Sequence, residues 1–182
     1  MGRLRNELRT LGIAENTMLW FCSDNGPEAR EHNGNNGSAG SFKGRKRSLY
    51  EGGIRVPGLL EWPAIVDKPK ATDFPCVTSD YFPTILAALD IPLPARTLDG
   101  INLLPLLKGE NLKREQPIFF MLRNNQCAIT EKYKLISKDK GKTYELYDLL
   151  KDKEEENDII SKKKSIADNL QAQLQNWIDD VS

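Results

Sequence analysis

Two short stretches hold the residues whose types and spacing could do chemistry. Ser23-Asp24-Asn25-Gly26 follows directly on the apolar run Thr17-Met18-Leu19-Trp20-Phe21-Cys22. A carboxylate and a carboxamide are hard oxygen donors, suited to Ca²⁺ or Mg²⁺ and not to a soft metal. Open α/β sheets bind ligands beyond the carboxyl ends of their strands, which is where this pair falls. Asp-Asn-Gly is equally good turn chemistry, and spacing alone favours the turn. The second stretch is Lys43-Gly44-Arg45-Lys46-Arg47-Ser48-Leu49-Tyr50-Glu51-Gly52-Gly53-Ile54-Arg55. Its glycines allow backbone to approach a ligand closely. Its cations Lys43, Arg45, Lys46 and Arg47 can grip an oxyanion such as sulfate or phosphate, a lysine acting as a point charge. The competing reading is a solvated basic loop.

Other polar features read more plainly. His32 lies in the polar, glycine-containing loop of residues 28–44, with Gly34, Gly37, Gly40 and Gly44 and no companion histidine. A solvated loop residue is the default for it, with a metal or acid–base role as the alternative. Glu154-Glu155-Glu156 and Lys162-Lys163-Lys164 read as solvated charge flanking a helix. Trp20, Trp62 and Trp177 sit on apolar patterns and are assigned to the core. Cys22, Cys76 and Cys127 are too scattered for a disulfide scaffold or a zinc site and read as small buried hydrophobes.

The elements that must position these residues follow from periodicity. Leu4, Leu8 and Leu11 give a helix over 3–11, ended by Gly12. Residues 17–22 suit a strand buried on both faces of an α/β sheet. Gly52-Gly53 introduces a second strand, Ile54 to Trp62. Ser79 is placed to cap a helix from Tyr81 to Leu89, with Pro83 in its first turn. A Pro- and Leu-rich linker, 91–115, leads to four short strands at 117–122, 126–130, 133–137 and 143–149. A final helix carries Ile166, Leu170, Leu174, Trp177, Ile178 and Val181 on one stripe. The pattern divides the chain near residue 112, into an α/β part (1–112) and a small α+β part (113–182).

Composition narrows the function classes. The 182 residues are 39% hydrophobic and 29% charged, with 26 Lys+Arg against 26 Asp+Glu. Zero net charge argues against a dedicated nucleic-acid binder. No apolar run approaches the ~20 residues of a membrane span, and Met1 to Leu8 has no apolar core of a signal peptide.

In order, the apolar strand ending in Ser-Asp-Asn-Gly-Pro, the Gly-containing loop, and Lys-x-x-x-Tyr-Glu-Gly-Gly-Ile-Arg-Val-Pro resemble the sulfatase family of the alkaline-phosphatase-like superfamily. Gly2 to Leu4 through Leu11 to Thr17, Ser79 to Ile85, Asp99 to Gly109 and Tyr144 to Leu149 extend the resemblance over essentially the whole chain. It implies the C-terminal part of an alkaline-phosphatase-like mixed sheet with helices, followed by a small four-stranded antiparallel sheet with a C-terminal helix. It implies hydrolysis of sulfate esters by a formylglycine nucleophile. Asp24 and Asn25 match the C-terminal pair of divalent-metal ligands, usually calcium. Lys46, five residues before Glu51, matches the lysine that contacts the substrate sulfate. Glu51, Gly52, Gly53 and Arg55 read as structural, while Lys43, Arg45 and Arg47 match no role.

No Cys/Ser-x-Pro-x-Arg occurs in the sequence, so the formylglycine site is absent from it. The N-terminal metal aspartates and the family's catalytic histidines have no counterpart either. The expectation is an inert C-terminal portion that self-associates or needs a missing N-terminal portion. Its substrate would be a sulfated small molecule or glycan. The alternatives are a non-catalytic binding or assembly module and a phosphatase or phosphodiesterase fragment. Family members are often periplasmic, lysosomal or secreted.

Overall fold

The computed structural model describes residues 1–28 and 37–181; His32 and Gly34, singled out above, lie outside the described residues. Contacts gather the chain into two compact units, Met1–Ser23 with Pro57–Lys113 and Asp24–Val56 with Arg114–Ser182.

In the first unit, α1 (Gly2–Thr10) ends where Gly12 takes a left-handed φ of 68°. The helix buries none of its residues and is tied down by charge, Arg5 and Arg9 both pairing with Glu61. β1 (Leu19–Cys22) pairs antiparallel with a second strand, Gly58–Glu61, Leu19 facing Glu61 and Cys22 facing Gly58. That second strand begins four residues later than Ile54, where the sequence pattern placed it. Tyr50 O instead accepts from the N–H groups of Gly53 and Ile54, which coil residues Glu51–Ile54 into one helical turn, α2. Pro57, which has no N–H for a ladder, then separates that turn from β2 (Gly58–Glu61). β1 was expected to be buried on both faces, yet Phe21 is 42% exposed and its cross-strand partner Leu59 is 64% exposed. The two-stranded ribbon has no covering layer on that side among the described residues. Trp20 stacks on Tyr81 with ring centroids 4.2 Å apart.

Helix α3 (Tyr81–Ala88) forms as expected, but Ser79 is not its anchor. A single 3₁₀ turn, Thr78–Asp80, precedes it, and the fully buried Asp80 carboxylate accepts from Val77 N and Ile101 N, each at 2.9 Å. Two carboxylate oxygens satisfy two orphan donors where one hydroxyl cannot. The linker contains one further turn, α4 (Leu104–Leu107).

In the second unit, β3 (Ile118–Leu122), β4 (Asn125–Ile129), β5 (Tyr133–Ser137) and β6 (Glu145–Asp148) form an antiparallel sheet in chain order. All four strands fall where the sequence placed them. α5 (Lys164–Val181) follows. Side chains alternate across a strand, so each strand presents two faces. On one, Ala128, Leu135 and Leu146 meet Ala167, Leu170 and Leu174 of α5 to form the core. Phe119 and Trp177 stack at its margin, 5.4 Å apart. Val181, counted on the helix stripe, is exposed at the last turn. The other face carries Cys127, Lys134, Ile136, Glu145 and Tyr147. It is covered too, which is why β4 and β5 read as buried at nearly every position. Of the three cysteines assigned to the interior only Cys127 is fully buried; Cys22 is half-buried and Cys76 is exposed in irregular chain.

The architecture is therefore an α/β portion followed by a four-stranded antiparallel sheet with a C-terminal helix. No helix of the described residues is long and apolar enough to cross a membrane.

Candidate functional site

Asp24 opens the second unit two residues after β1 ends, and its side chain is exposed. Asn25 is half-buried, with Oδ1 withdrawn from solvent. Lys46 is exposed in the turn that closes the basic loop. The backbone brings these positions together. Lys46 N donates to Pro27 O at 3.0 Å, and Gly26 N donates to Gly53 O at 2.8 Å. The Asp24-Asn25 turn is thus bonded to both sides of the loop that carries Lys46.

Close packing explains the glycines here. A Cβ on Gly26 would overlap Gly52 O, and one on Gly52 would meet Lys43 O at 2.6 Å and overlap Gly44 O. Gly52 N in turn donates to Lys43 O at 2.7 Å. No side chain fits where three backbone segments touch.

The cations that match no role in the sequence do two separate things. Arg47 sits at φ 72°, past which Ser48 N returns to Arg45 O at 2.9 Å. Its guanidinium pairs with Glu28, and Arg45 donates to Glu28 O at 3.0 Å, so both brace the loop. Lys43 turns inward. Its Nζ donates to Tyr147 Oη at 3.0 Å and to Glu155 O at 3.1 Å, and lies 4.3 Å from the centre of the Tyr50 ring. Of the basic cluster, Lys46 has none of these bracing contacts and presents its ammonium at the surface.

Glu51 is buried and structural, as expected. Its partner could not be read from the residue pattern: Lys134 is 0% exposed and lies 2.6 Å from Glu51 Oε1 and 2.9 Å from Glu155 Oε1. A lysine inside a strand pattern carries no signal that it points inward. Glu155 corrects the reading of Glu154-Glu155-Glu156 as solvated charge. It is fully buried, and its Oε2 accepts from Glu51 N at 2.6 Å. Its φ of 59° turns the chain after β6 so that the side chain enters the sheet face. Burial holds the Glu155 carboxyl above its ordinary range, with Lys134 pulling the other way. Burial and the Glu145 carboxylate push the Tyr147 hydroxyl up, and Glu145 also accepts from Tyr50 Oη.

Among the described residues no group of three or more His, Cys, Asp or Glu side chains is placed to hold a metal ion. Asp24 and Asn25 supply two hard oxygen donors, which fit one side of a Ca²⁺ shell but not the roughly 6–8 oxygens it takes. An open cavity of about 310 Å³, lined by Pro117, Tyr133, Ile166, Leu170 and Gln173, does not include Asp24, Asn25 or Lys46.

Residues 37–181 match the family model described as N-sulphoglucosamine sulphohydrolase, C-terminal. The chain belongs to the sulfatase family. Human steryl-sulfatase is 37% identical over 125 residues, and human arylsulfatase A is 38% identical over 120. Each match takes in 66% of this chain but only 21% and 23% of those sulfatases. The solved structure of Ps i-CgsB in complex with k-i-k-neocarrahexaose superposes with a TM-score of 0.83 at 26% identity, over 97% of this chain and 39% of that one. The chain thus corresponds to less than half the length of these sulfatase relatives and structural neighbours, and to the C-terminal region named by the family model.

Proposed function

We propose that this chain is the C-terminal portion of a sulfatase that hydrolyses sulfate esters, residues 1–112 completing its catalytic α/β domain and 113–182 forming a small C-terminal subdomain. The observation that carries the reading is the bonding of the Asp24-Asn25 turn to the Lys46 loop, which puts a hard-donor pair and an oxyanion-binding lysine on one connected scaffold.

In this reading Asp24 Oδ and Asn25 Oδ1 hold one side of a divalent cation, Ca²⁺ by family resemblance. When bound, that cation supplies positive charge against a sulfate oxygen. Lys46 places its ammonium on the transferring sulfate, where a fixed cation stabilises charge that builds on the oxygens. Arg45 and Arg47 brace the loop that carries it. The attacking formylglycine is supplied by sequence outside residues 1–182, so the chain alone is inert. Its substrate class is a sulfated small molecule or glycan, an assignment supported by the oligosaccharide in the neighbour's complex and by relatives such as mouse N-acetylgalactosamine-6-sulfatase. The exposed Phe21 and Leu59 mark the side of the ribbon that the remaining polypeptide would cover.

Two experiments test this. Calcium titration of the isolated chain should give weak binding or none, and tight one-to-one binding overturns the incomplete shell. In an enzyme completed by an N-terminal sulfatase portion, aryl sulfate should be hydrolysed in preference to aryl phosphate. There Lys46→Ala should lower kcat/KM by about 10²–10³-fold. Unchanged turnover removes Lys46 from the site, and a preference for phosphate would favour the phosphatase reading.

A further inference from the structure

The most unusual group outside the proposed site is the fully buried cation Lys134, held between two carboxylates from distant parts of the chain. Glu51 lies 83 positions before it, and Glu155 reaches Glu51 N across 104 positions. The surroundings are polar by construction. Lys134, Glu145 and Tyr147 share the sheet face opposite α5, and all three contact the segment 43–51 through Glu51, Tyr50 and Lys43 respectively. Glu155 adds two bonds of its own to that segment, its carboxylate to Glu51 N and its carbonyl oxygen to Lys43 Nζ. Residues 24–56 pack with residues 114–182 although β1 and β2 flank them in sequence. A sheet face could have been covered by apolar side chains alone. A buried ion pair costs desolvation and is weak evidence for stability, but it does fix one geometry where an apolar contact tolerates sliding.

We propose that Lys134 and Glu155 are positioning residues, a polar latch by which the C-terminal sheet sets the loop that carries Lys46 against the Asp24-Asn25 turn. Lys134 fixes the Glu51 side chain and Glu155 fixes the Glu51 backbone. The turn α2 that starts at Glu51 then carries Gly52 and Gly53, whose N–H and C=O hold Lys43 and Gly26. The inference deepens the sulfatase reading and rests on it only in taking the Lys46 loop as functional. The latch itself is a statement about which elements open together.

Amide hydrogen exchange on the full 182-residue chain tests it. In the unsubstituted protein the amides of Lys46, Gly52 and Gly26 should open together with that of Glu155. Independent, easier opening of the loop overturns the latch. In Glu155→Ala, exchange at Lys46, Gly52 and Gly26 should quicken at least about tenfold more than in the β4–β5 ladder. Glu155→Gln, whose amide oxygen still accepts from Glu51 N, should restore most of the protection. Leu174→Ala, on the opposite face, should speed loop and ladder alike. Equal acceleration of loop and ladder in Glu155→Ala, or no rescue by Glu155→Gln, refutes the proposal. Should Glu155→Ala not fold, the co-opening measured in the unsubstituted chain decides. None of these readouts uses turnover, so a latch that passes while Lys46→Ala leaves the completed enzyme unchanged would sink the sulfatase role of Lys46 and spare the latch.

Discussion

Replacing Lys134 with methionine isolates the energetics of the buried charges. The substitution keeps most of the side-chain volume and removes the ammonium 2.6 Å from Glu51 and 2.9 Å from Glu155. The two carboxylates are not equally exposed to the loss. Glu51 keeps Arg55 at 3.1 Å, whose guanidinium is partly solvated. Among the described residues the Glu155 carboxylate keeps only the Glu51 N–H, and the residue is 0% exposed. Truncating one partner of a buried pair typically costs about 3–5 kcal/mol. With one carboxylate still compensated, we expect the lower end, about 3 kcal/mol at neutral pH. At a urea m-value of about 2 kcal/mol/M that is a midpoint lower by about 1.5 M. The deficit must also depend on pH. Burial already holds the Glu155 carboxyl up, and without the cation that opposed this it sits higher still in the folded state than in the unfolded one. The folded state then binds protons in excess, and the variant loses stability as pH rises through the carboxylate range. The deficit should therefore be smaller near pH 4 than near pH 8, by roughly half or more. Urea titrations of both proteins at the two pH values decide it. A loss below about 1 kcal/mol, or a pH-independent one, would refute the assignment of a charged, uncompensated Glu155.

Further outcomes follow from other parts of the unit. Leu174→Ala, at a position with 0% exposure under the sheet, should cost about 2–5 kcal/mol in urea unfolding, and less than 1 would mean the α5 face repacks freely. Burial pushes the Cys127 thiol up to about 12, so in the folded chain a thiol reagent should modify exposed Cys76 and spare Cys127 until denaturant is added. Asp139 accepts from Thr143 N and Oγ1, Lys142 N and Ser137 Oγ, which lower its pKa to about 2. A depressed carboxyl stabilises above its unfolded pKa and loses that contribution as pH falls toward 2. Exchange at the Lys142 and Thr143 amides should accelerate over that acid window, and a flat profile would contradict the bonding.

The residues differ in how legible they were. The strands of the small sheet and the α5 stripe could be read because period and length are local properties, and Leu170 and Leu174 fall in the core as the stripe required. The Asp24-Asn25 turn and the Lys46 loop were found by residue type and spacing. What could not be read was everything fixed by tertiary partners. Lys134 looks like any solvent-facing strand lysine until Glu51 and Glu155 are placed around it. Glu155 sits in an acidic run that composition assigns to water, and only a left-handed φ turns it inward. Lys43 and Lys46 are chemically identical and three residues apart, yet one lies between tyrosine rings and the other faces solvent. The strand expected at Ile54 failed for a local reason, since Pro57 divides a helical turn from the true strand.

The long sequence separations in the second unit bear on how the protein is made. A nascent chain leaves the ribosome from its N-terminus, so Asp24, Asn25 and Lys46 emerge well before the sheet on which their segment rests. Joining residues 43–55 to the sheet requires closing a loop that contains the whole of Pro57–Lys113. Closure entropy grows only slowly with loop length, so the cost is one of order and time more than of stability. Until Lys134 and Glu155 have been synthesised, the segment has no seat. A premature stop codon anywhere between residues 114 and 155 would leave Asp24, Asn25 and Lys46 encoded and translated but never assembled.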